Sequence, residues 1–161
     1  MNAEQGKQIE ALYLEMFDLL IHYARSALKN ESLAEEAVQE TFRIACQKPD
    51  HLCSSSNPKG WLVLTLKNTI QNIRKNIAST RRLVEHYMAA QPKEITFSED
   101  GVHVNILYAD LADSDEFMLL SELAIEQRSH AEMARSRGIS VAACKKRVQR
   151  AKERLKKIIE H

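Results

Sequence analysis

Near the end of the chain, basic and amide side chains recur at the spacing of one helix face and could contact nucleic acid. Residues 138–157 contain eight Lys or Arg and one Asp or Glu, which gives the segment a net charge of +7. Gly138 suits the left-handed end of one helix and Ser140 suits the N-cap of the next, as in a helix-turn-helix. The outer face of the second helix would carry Lys145, Lys146, Arg147, Gln149, Arg150 and Lys152. These side chains predict a helix that enters the DNA major groove and divides its contacts between phosphates and guanine edges.

A second basic segment lies in the middle of the chain, where residues 59–82 contain six Lys or Arg and no Asp or Glu. Its polar face carries Lys67, Asn68, Gln71, Asn72, Arg74 and Lys75. The basic side chains can hold the phosphates of a separated strand, and the amide side chains can reach base edges. Trp61 at the start of the segment could stack on a base, although packing in the core is the commoner role of such a side chain. The segment predicts a second nucleic-acid surface.

An acidic helix face precedes this segment and is suited to a basic protein partner. Its outer positions are Glu35, Glu36, Gln39, Glu40 and Arg43. Gln39 can both donate and accept hydrogen bonds, and Phe42 would anchor the face while also belonging to the apolar side of the helix. A solvated outer face explains the same charges, so the pattern alone leaves both readings open.

No constellation of residues indicates an enzyme, a cofactor site or a metal site. The carboxylates at residues 35–40 lack the Glu-x-x-His pairs of a di-iron bundle. Cys46, His51 and Cys53 match no common zinc spacing. The sequence also lacks a P-loop, a Gly-rich dinucleotide fingerprint and a Gly-x-Ser-x-Gly elbow. We therefore expect neither catalysis nor a bound cofactor or metal.

The composition predicts an all-α protein, and the lack of a membrane span and of a targeting peptide predicts a cytoplasmic location. The 161 residues include only four Gly, three Pro and 6% aromatic residues, and Ala, Leu, Glu, Lys and Arg are abundant. The sequence has no apolar run near the length of a membrane span and begins with neither a signal nor a transit peptide, so we expect no membrane insertion. Three cysteines without a pattern favour reduced thiols.

Helix signals divide the first half of the chain into three helices. Apolar residues recur at three-four spacing from Ile9, which predicts the first helix. Ser32 and Glu35 form a capping-box pattern at the start of the second, and Pro49 would end it. Residues 50–57 are predicted as a loop before the third helix, which begins at the Asn57-Pro58 pair.

Three shorter helices are predicted after Ser114, following an irregular and acidic stretch. A capping-box pattern at Ser129 and Glu132 starts the second of the three. The last helix would place Val141, Cys144, Val148, Ala151, Leu155 and Ile158 inside. We therefore expect an N-terminal helical bundle at residues 1–88, a flexible acidic linker at 89–112 and a C-terminal helix-turn-helix domain at 113–161.

These motifs, taken together, resemble the extracytoplasmic-function (ECF) sigma factors, promoter-recognition subunits of bacterial RNA polymerase. Residues 34–42, AEEAVQETF, are similar to the family's A-E-D-x-V-Q-E-x-F signature. Trp61-Leu62, Asn68 and Arg74 are similar to its W-L-x5-N-x5-R signature. The pattern from Ser129 to Leu155 resembles the family's helix-turn-helix, and the motifs occur in the family's order.

The resemblance implies a region 2-like domain at 1–88 that docks on the clamp of the largest polymerase subunit and reads the −10 element. It implies a region 4-like domain at 113–161 that reads the −35 element, an acidic linker in the polymerase cleft, and an anti-sigma protein as a further partner. The implied docking residues are Glu35, Glu36, Gln39, Glu40, Phe42 and Arg43. The implied −10 residues are Trp61, Lys67, Asn68, Gln71, Asn72, Arg74 and Lys75. The implied −35 residues are Ser140, Ala142, Ala143, Lys145, Lys146, Arg147, Gln149 and Arg150.

Two other functions remain open at this point. The first is a helix-turn-helix regulator that binds DNA without polymerase and uses its N-terminal helices to dimerise or to bind another partner. The second is a helical scaffold that binds only proteins. A second nucleic-acid helix beside the acidic face favours the sigma factor, because a dimeric repressor has no need of that helix.

Overall fold

A computed structural model of the chain describes residues 1–90 and 114–160. Across these two ranges the backbone forms seven α-helices and no β-strand, which confirms the predicted all-α class for this part of the chain. The helices are α1 (Ala3–Leu28), α2 (Glu31–Gln47), α3 (Pro49–Cys53), α4 (Pro58–Ala90), α5 (Asp115–Ala124), α6 (His130–Arg137) and α7 (Val141–Ile159). They form two compact units, Met1–Lys75 and Asn76–His161, and the division falls inside α4.

The predicted acidic linker lies almost entirely outside the described residues. Residues 89 and 90 are the last two residues of α4, and residues 91–113 are not described. The proposed plan of two domains and a linker therefore stays a prediction.

The first unit is built from α1, α2, α3 and the first part of α4 around one apolar core. Its buried side chains include Leu20, Val38, Leu52, Leu62 and Leu66. α1 presents apolar residues every three or four positions to this core, as its sequence predicts. Pro58 at the first position of α4 follows Asn57, whose side-chain oxygen accepts a hydrogen bond from the Gly60 amide at 2.9 Å. This confirms the predicted start of the third long helix.

Two local predictions in the first unit were wrong. α2 begins two residues earlier than the predicted capping box, because Asn30 Oδ1 accepts from the Leu33 amide at 3.0 Å and thereby caps the helix. Most of α3 lies in the segment 50–57, which was predicted as a loop. Pro49 is compatible with the start of α3, because proline has no amide hydrogen and the first residue of a helix needs none. α3 also places Leu52 in the core with no exposed surface.

The second unit combines the end of α4 with α5, α6 and α7. Val84 and Tyr87 of α4 are buried with Leu120 of α5, Met133 of α6 and Val148 of α7. Arg81 of α4 donates two hydrogen bonds to the Ala124 carbonyl, from Nε at 3.1 Å and from Nη2 at 2.9 Å. The last carbonyl groups of a helix have no hydrogen-bond partner within the helix, and Arg81 supplies one for the carbonyl at the end of α5.

The helix signals of the second unit are confirmed. Ser114, Ser129 and Ser140 cap α5, α6 and α7, and Ser129 forms the predicted capping box with Glu132. Gly138 ends α6 with a φ of +62°, which is the left-handed conformation that glycine adopts without steric cost. One inward prediction was wrong, since Val141 lies in the first turn of α7 and is exposed.

Candidate protein- and nucleic-acid-binding surfaces

The acidic face of α2, defined as Glu35, Glu36, Gln39, Glu40 and Arg43, lies on the outside of the first unit. Glu35, Gln39 and Arg43 are exposed and follow one another at four-residue intervals, so they form one strip along the helix. Glu36 and Glu40 flank this strip and are half-buried. The opposite side of α2 is in the core, where Ala34, Val38 and Thr41 are buried. Packing therefore fixes the orientation of the exposed strip.

Arg43 and Glu40 form an ion pair on this face. Arg43 donates from Nε at 2.7 Å and from Nη2 at 2.5 Å to the two carboxylate oxygens of Glu40. The hydrogen bond that Arg43 donates to Glu40 is the main reason why the pKa of Arg43 is raised above its ordinary value. The pair neutralises one carboxylate locally, and Glu35 is an exposed carboxylate of the same face.

Phe42 is the one predicted docking residue that lies in the core. Only 7% of its surface is exposed, and its ring meets that of Tyr13 edge-on with the centroids 4.8 Å apart. The aromatic pair holds α2 against α1. Phe42 therefore acts on the acidic face indirectly, through the position of α2.

The exposed face of α4 in the first unit contains six of the seven residues predicted to contact DNA. Asn68, Gln71, Asn72 and Lys75 are exposed at spacings of three and four, so they share one side of the helix. Lys67 is also exposed, and its ammonium lies 5.9 Å from the centroid of the Tyr23 ring, which orients it by a cation–π contact. Leu66 and Ile70 on the opposite side of α4 are buried in the core, and their packing keeps this face exposed to solvent.

Arg74 and Trp61 make structural contacts besides their predicted roles. The Arg74 side chain is exposed, yet its Nη2 donates to the Ala27 carbonyl in the last turn of α1. Trp61 is half-buried and packs against the core of the first unit. Arg74 thus joins two helices, and Trp61 follows the packing role that its residue type favours.

Leu64 belongs to the same face and was missed by the sequence reasoning. It precedes Asn68 by four residues and Gln71 by seven, and 59% of its surface is exposed. The signal was available in the sequence, because an apolar residue at that interval must lie on the polar side of the helix. Leu64 therefore presents an exposed apolar side chain beside the amide side chains of this face.

The helix-turn-helix is formed by α6 and α7, with Gly138 and Ser140 at the turn. Ser140 Oγ accepts a hydrogen bond from the Ala143 amide at 3.1 Å, which starts α7 directly after the turn. The buried side of α7 contains Cys144, Val148, Ala151 and Leu155. Its predicted DNA-contacting residues are all exposed except for the half-buried Ala143: Ser140, Ala142, Lys145, Lys146, Arg147, Gln149 and Arg150. The basic side chains predicted to contact DNA are therefore accessible together.

Glu153 lies next to the basic face of α7 and accepts a hydrogen bond from one of its residues. Gln149 Nε2 donates to Glu153 Oε1 at 3.1 Å, one turn further along α7. Lys152, which the sequence placed on the outer side, is instead half-buried, and its ammonium donates to Asn76 Oδ1 of α4. The exposed basic face of α7 therefore contains fewer residues than the sequence predicted, because Lys152 is not part of it.

Neither a metal cluster nor a membrane span is found in the described part of the chain. No three His, Cys, Asp or Glu side chains come together in a group that could hold a metal ion within residues 1–90 and 114–160. Among the helices over those same ranges, none has both the length and the apolar character that crossing a bilayer requires.

Residues 12–80 match the family model of sigma-70 region 2. The matched range contains both the acidic face of α2 and the exposed polar face of α4. The similarity to sigma-70 region 2 is confined to the part of the chain that runs from α1 into α4. Region 2 in this family is associated with binding of core RNA polymerase and with recognition of the −10 element. No curated protein shows significant similarity to the chain.

Proposed function

We propose that this protein is a sigma factor of the ECF group, which binds core RNA polymerase and directs initiation at promoters with specific −10 and −35 elements. The proposal rests chiefly on the coincidence of the sigma-70 region 2 match at residues 12–80 with an acidic helix face and an exposed amide-rich helix face. It places the protein in the cytoplasm with promoter DNA as its second partner, and an anti-sigma protein as its regulator.

In this proposal the acidic face of α2 binds the clamp of the largest polymerase subunit. Glu35 and Glu36 supply negative charge for a basic partner, and Gln39 supplies hydrogen bonds in the middle of the exposed strip. Phe42 contributes by holding α2 in place through its contact with Tyr13.

Promoter reading is divided between the two units. Asn68, Gln71 and Asn72 contact bases of the separated −10 strand, while Lys67 and Lys75 hold its phosphates. The outer face of α7 enters the major groove at the −35 element. Support for this second role comes from the caps, the Gly138 turn and the exposed basic side chains, because the family match ends at residue 80.

The deciding experiment is size-exclusion chromatography of the protein mixed with sigma-free bacterial core polymerase at moderate salt. We expect one-to-one co-elution that is lost in a Glu35→Ala/Gln39→Ala variant, since both residues are exposed and their removal leaves the core intact. Glu10→Ala is the matched control, because Glu10 is an exposed carboxylate of α1 in the same unit. Failure of the folded wild type to co-elute would contradict the proposal.

The alternative is a helix-turn-helix regulator that acts without polymerase. It is favoured by one observation, that the caps and turn of α6 and α7 are complete within the second unit. Such a protein would bind a palindromic duplex as a dimer in the absence of polymerase. A monomer that binds promoter DNA specifically only with polymerase would exclude it.

A further inference from the structure

A cleft of about 280 Å³ lies between the end of α4 and α7 in the second unit. Its polar lining is basic or neutral and includes Ser79, Arg82 and His86 of α4 together with Lys152 and Lys156 of α7. Leu83 and Ile159 provide its apolar lining. Among residues 1–90 and 114–160, no carboxylate lines the cleft.

Lys152 is the most unusual of these residues because its ammonium is half-buried beside a neutral partner. Its side chain donates to Asn76 Oδ1, and no ion pair joins Lys152, Lys156 or Arg82 to a carboxylate within the described part of the chain. Burial lowers the pKa of Lys152, and the positive charge of Lys156 lowers it further. A charge removed from water without a counter-charge is costly, and an anion in the cleft would relieve that cost.

The cleft lies at one edge of the predicted DNA-contacting face of α7, because Lys152 follows Lys145 by seven residues and Gln149 by three. Lys152 follows Lys146 by six residues, which places the two side chains about 120° apart around the helix axis. Lys146 and Arg150 are fully on the exposed side, whereas Lys152 is directed toward α4. Lys146 and Arg150 therefore lie away from the cleft, whereas Lys145 shares the side of α7 that Lys152 and Lys156 occupy.

We propose that this cleft binds a small molecule that carries a phosphate or diphosphate group. Arg82, Lys152 and Lys156 provide charged hydrogen-bond donors for phosphate oxygens. Leu83 and Ile159 suit the carbon part of an organic phosphate. The volume is close to the lower end of ligand pockets, about 300 Å³, so a compact ligand fits best. Binding would join α4 to α7 and stabilise the second unit.

Isothermal titration calorimetry of the full chain with inorganic pyrophosphate tests this site. We expect one-site binding that weakens about tenfold in Arg82→Gln and in Lys156→Gln, because each change removes one charged donor. Both residues are exposed, so the fold should survive, which circular dichroism checks. Lys146→Gln removes the same charge from a position of α7 that does not line the cleft and should leave the affinity unchanged. No binding to the folded wild type, or equal weakening by Lys146→Gln, would overturn the proposal.

A second titration separates a free phosphate ligand from the phosphates of DNA. With a short duplex as the titrant, Lys146→Gln should weaken binding while Arg82→Gln and Lys156→Gln should not. Equal losses in all three variants would assign the cleft cations to the DNA surface and exclude a small-molecule site. Neither titration involves polymerase, so the result is independent of the proposed sigma-factor function.

Discussion

Arg137 and Glu122 form a bidentate ion pair that connects the end of α6 to α5. The guanidinium donates from Nη2 to one carboxylate oxygen at 2.9 Å and from Nη1 to the other at 3.1 Å. Arg128 adds a third donor to the same carboxylate at 2.8 Å. The side chains of Glu122 and Arg137 are only 12% and 14% exposed, so the pair is shielded from water and salt. This network holds α6, the first helix of the helix-turn-helix, against the rest of the second unit.

Replacing the carboxylate should destabilise the second unit in a pH-dependent way. The hydrogen bond from Arg137 is the main cause of the lowered pKa of Glu122, so the pair stabilises the fold above the ordinary carboxyl range. That stability is lost as the pH falls through the folded-state pKa. We expect Glu122→Gln to lower the free energy of unfolding by about 2 kcal/mol at neutral pH. Urea unfolding at a series of pH values measures the difference, which should shrink toward zero in acid.

Glu126→Gln is the matched control, because Glu126 is exposed and lies one turn after Glu122. It should change the unfolding free energy little at any pH. A Glu122→Gln penalty that stays constant down to the acid limit would show that the carboxylate charge is not the source of the stability.

Arg74 and Asn68 are both exposed residues of α4 and should respond differently to truncation. Arg74→Ala removes the hydrogen bond to the Ala27 carbonyl and should lower the free energy of unfolding by about 1 kcal/mol. Asn68→Ala removes only an exposed amide and should leave stability unchanged. Under the proposed function, Asn68→Ala should weaken binding of a −10 strand in the polymerase complex. Urea unfolding and fluorescence anisotropy measure the two effects, and equal stability losses would refute the distinction.

The residues that were predicted correctly are those whose signals are local. Asn57, Ser129 and Ser140 cap helices because a short polar side chain reaches an amide two or three residues ahead, and sequence shows that spacing directly. The start of α2 was misplaced because Asn30 and Ser32 are both good caps. The structure selects Asn30, which allows Leu33 to be buried.

Long-range contacts explain what the sequence could not predict. Tyr87 lies near the end of α4 but is buried in the core of the second unit, where its ring is 5.2 Å from that of Phe117. The helical period of α4 shows that Tyr87 is on an apolar side but not which helices cover it. The contact of Arg74 with Ala27 joins residues 47 positions apart and has no sequence signal either.

Two glycines should respond to alanine with opposite signs. Gly138 has a φ of +62°, so Gly138→Ala should lower the free energy of unfolding by about 1 kcal/mol even though a Cβ meets no atom there. Gly6 lies inside α1, where a Cβ also has open space, so Gly6→Ala should raise that free energy by about 0.5–1 kcal/mol. Urea unfolding of both variants measures the effects. Equal shifts would show that backbone conformation is not decisive at Gly138.

Basic residues on the outer face of α7 should control the salt dependence of duplex binding. Lys146 and Arg150 are exposed one turn apart, and each phosphate contact releases a counterion from DNA. We expect Lys146→Ala and Arg150→Ala each to weaken binding, and a variant that loses a phosphate contact should have a salt slope smaller by about 1. Fluorescence anisotropy with a −35 duplex at several salt concentrations gives both values. Lys7→Ala changes the net charge equally from an exposed site in the first unit, so a similar slope change in that variant would contradict a role for α7.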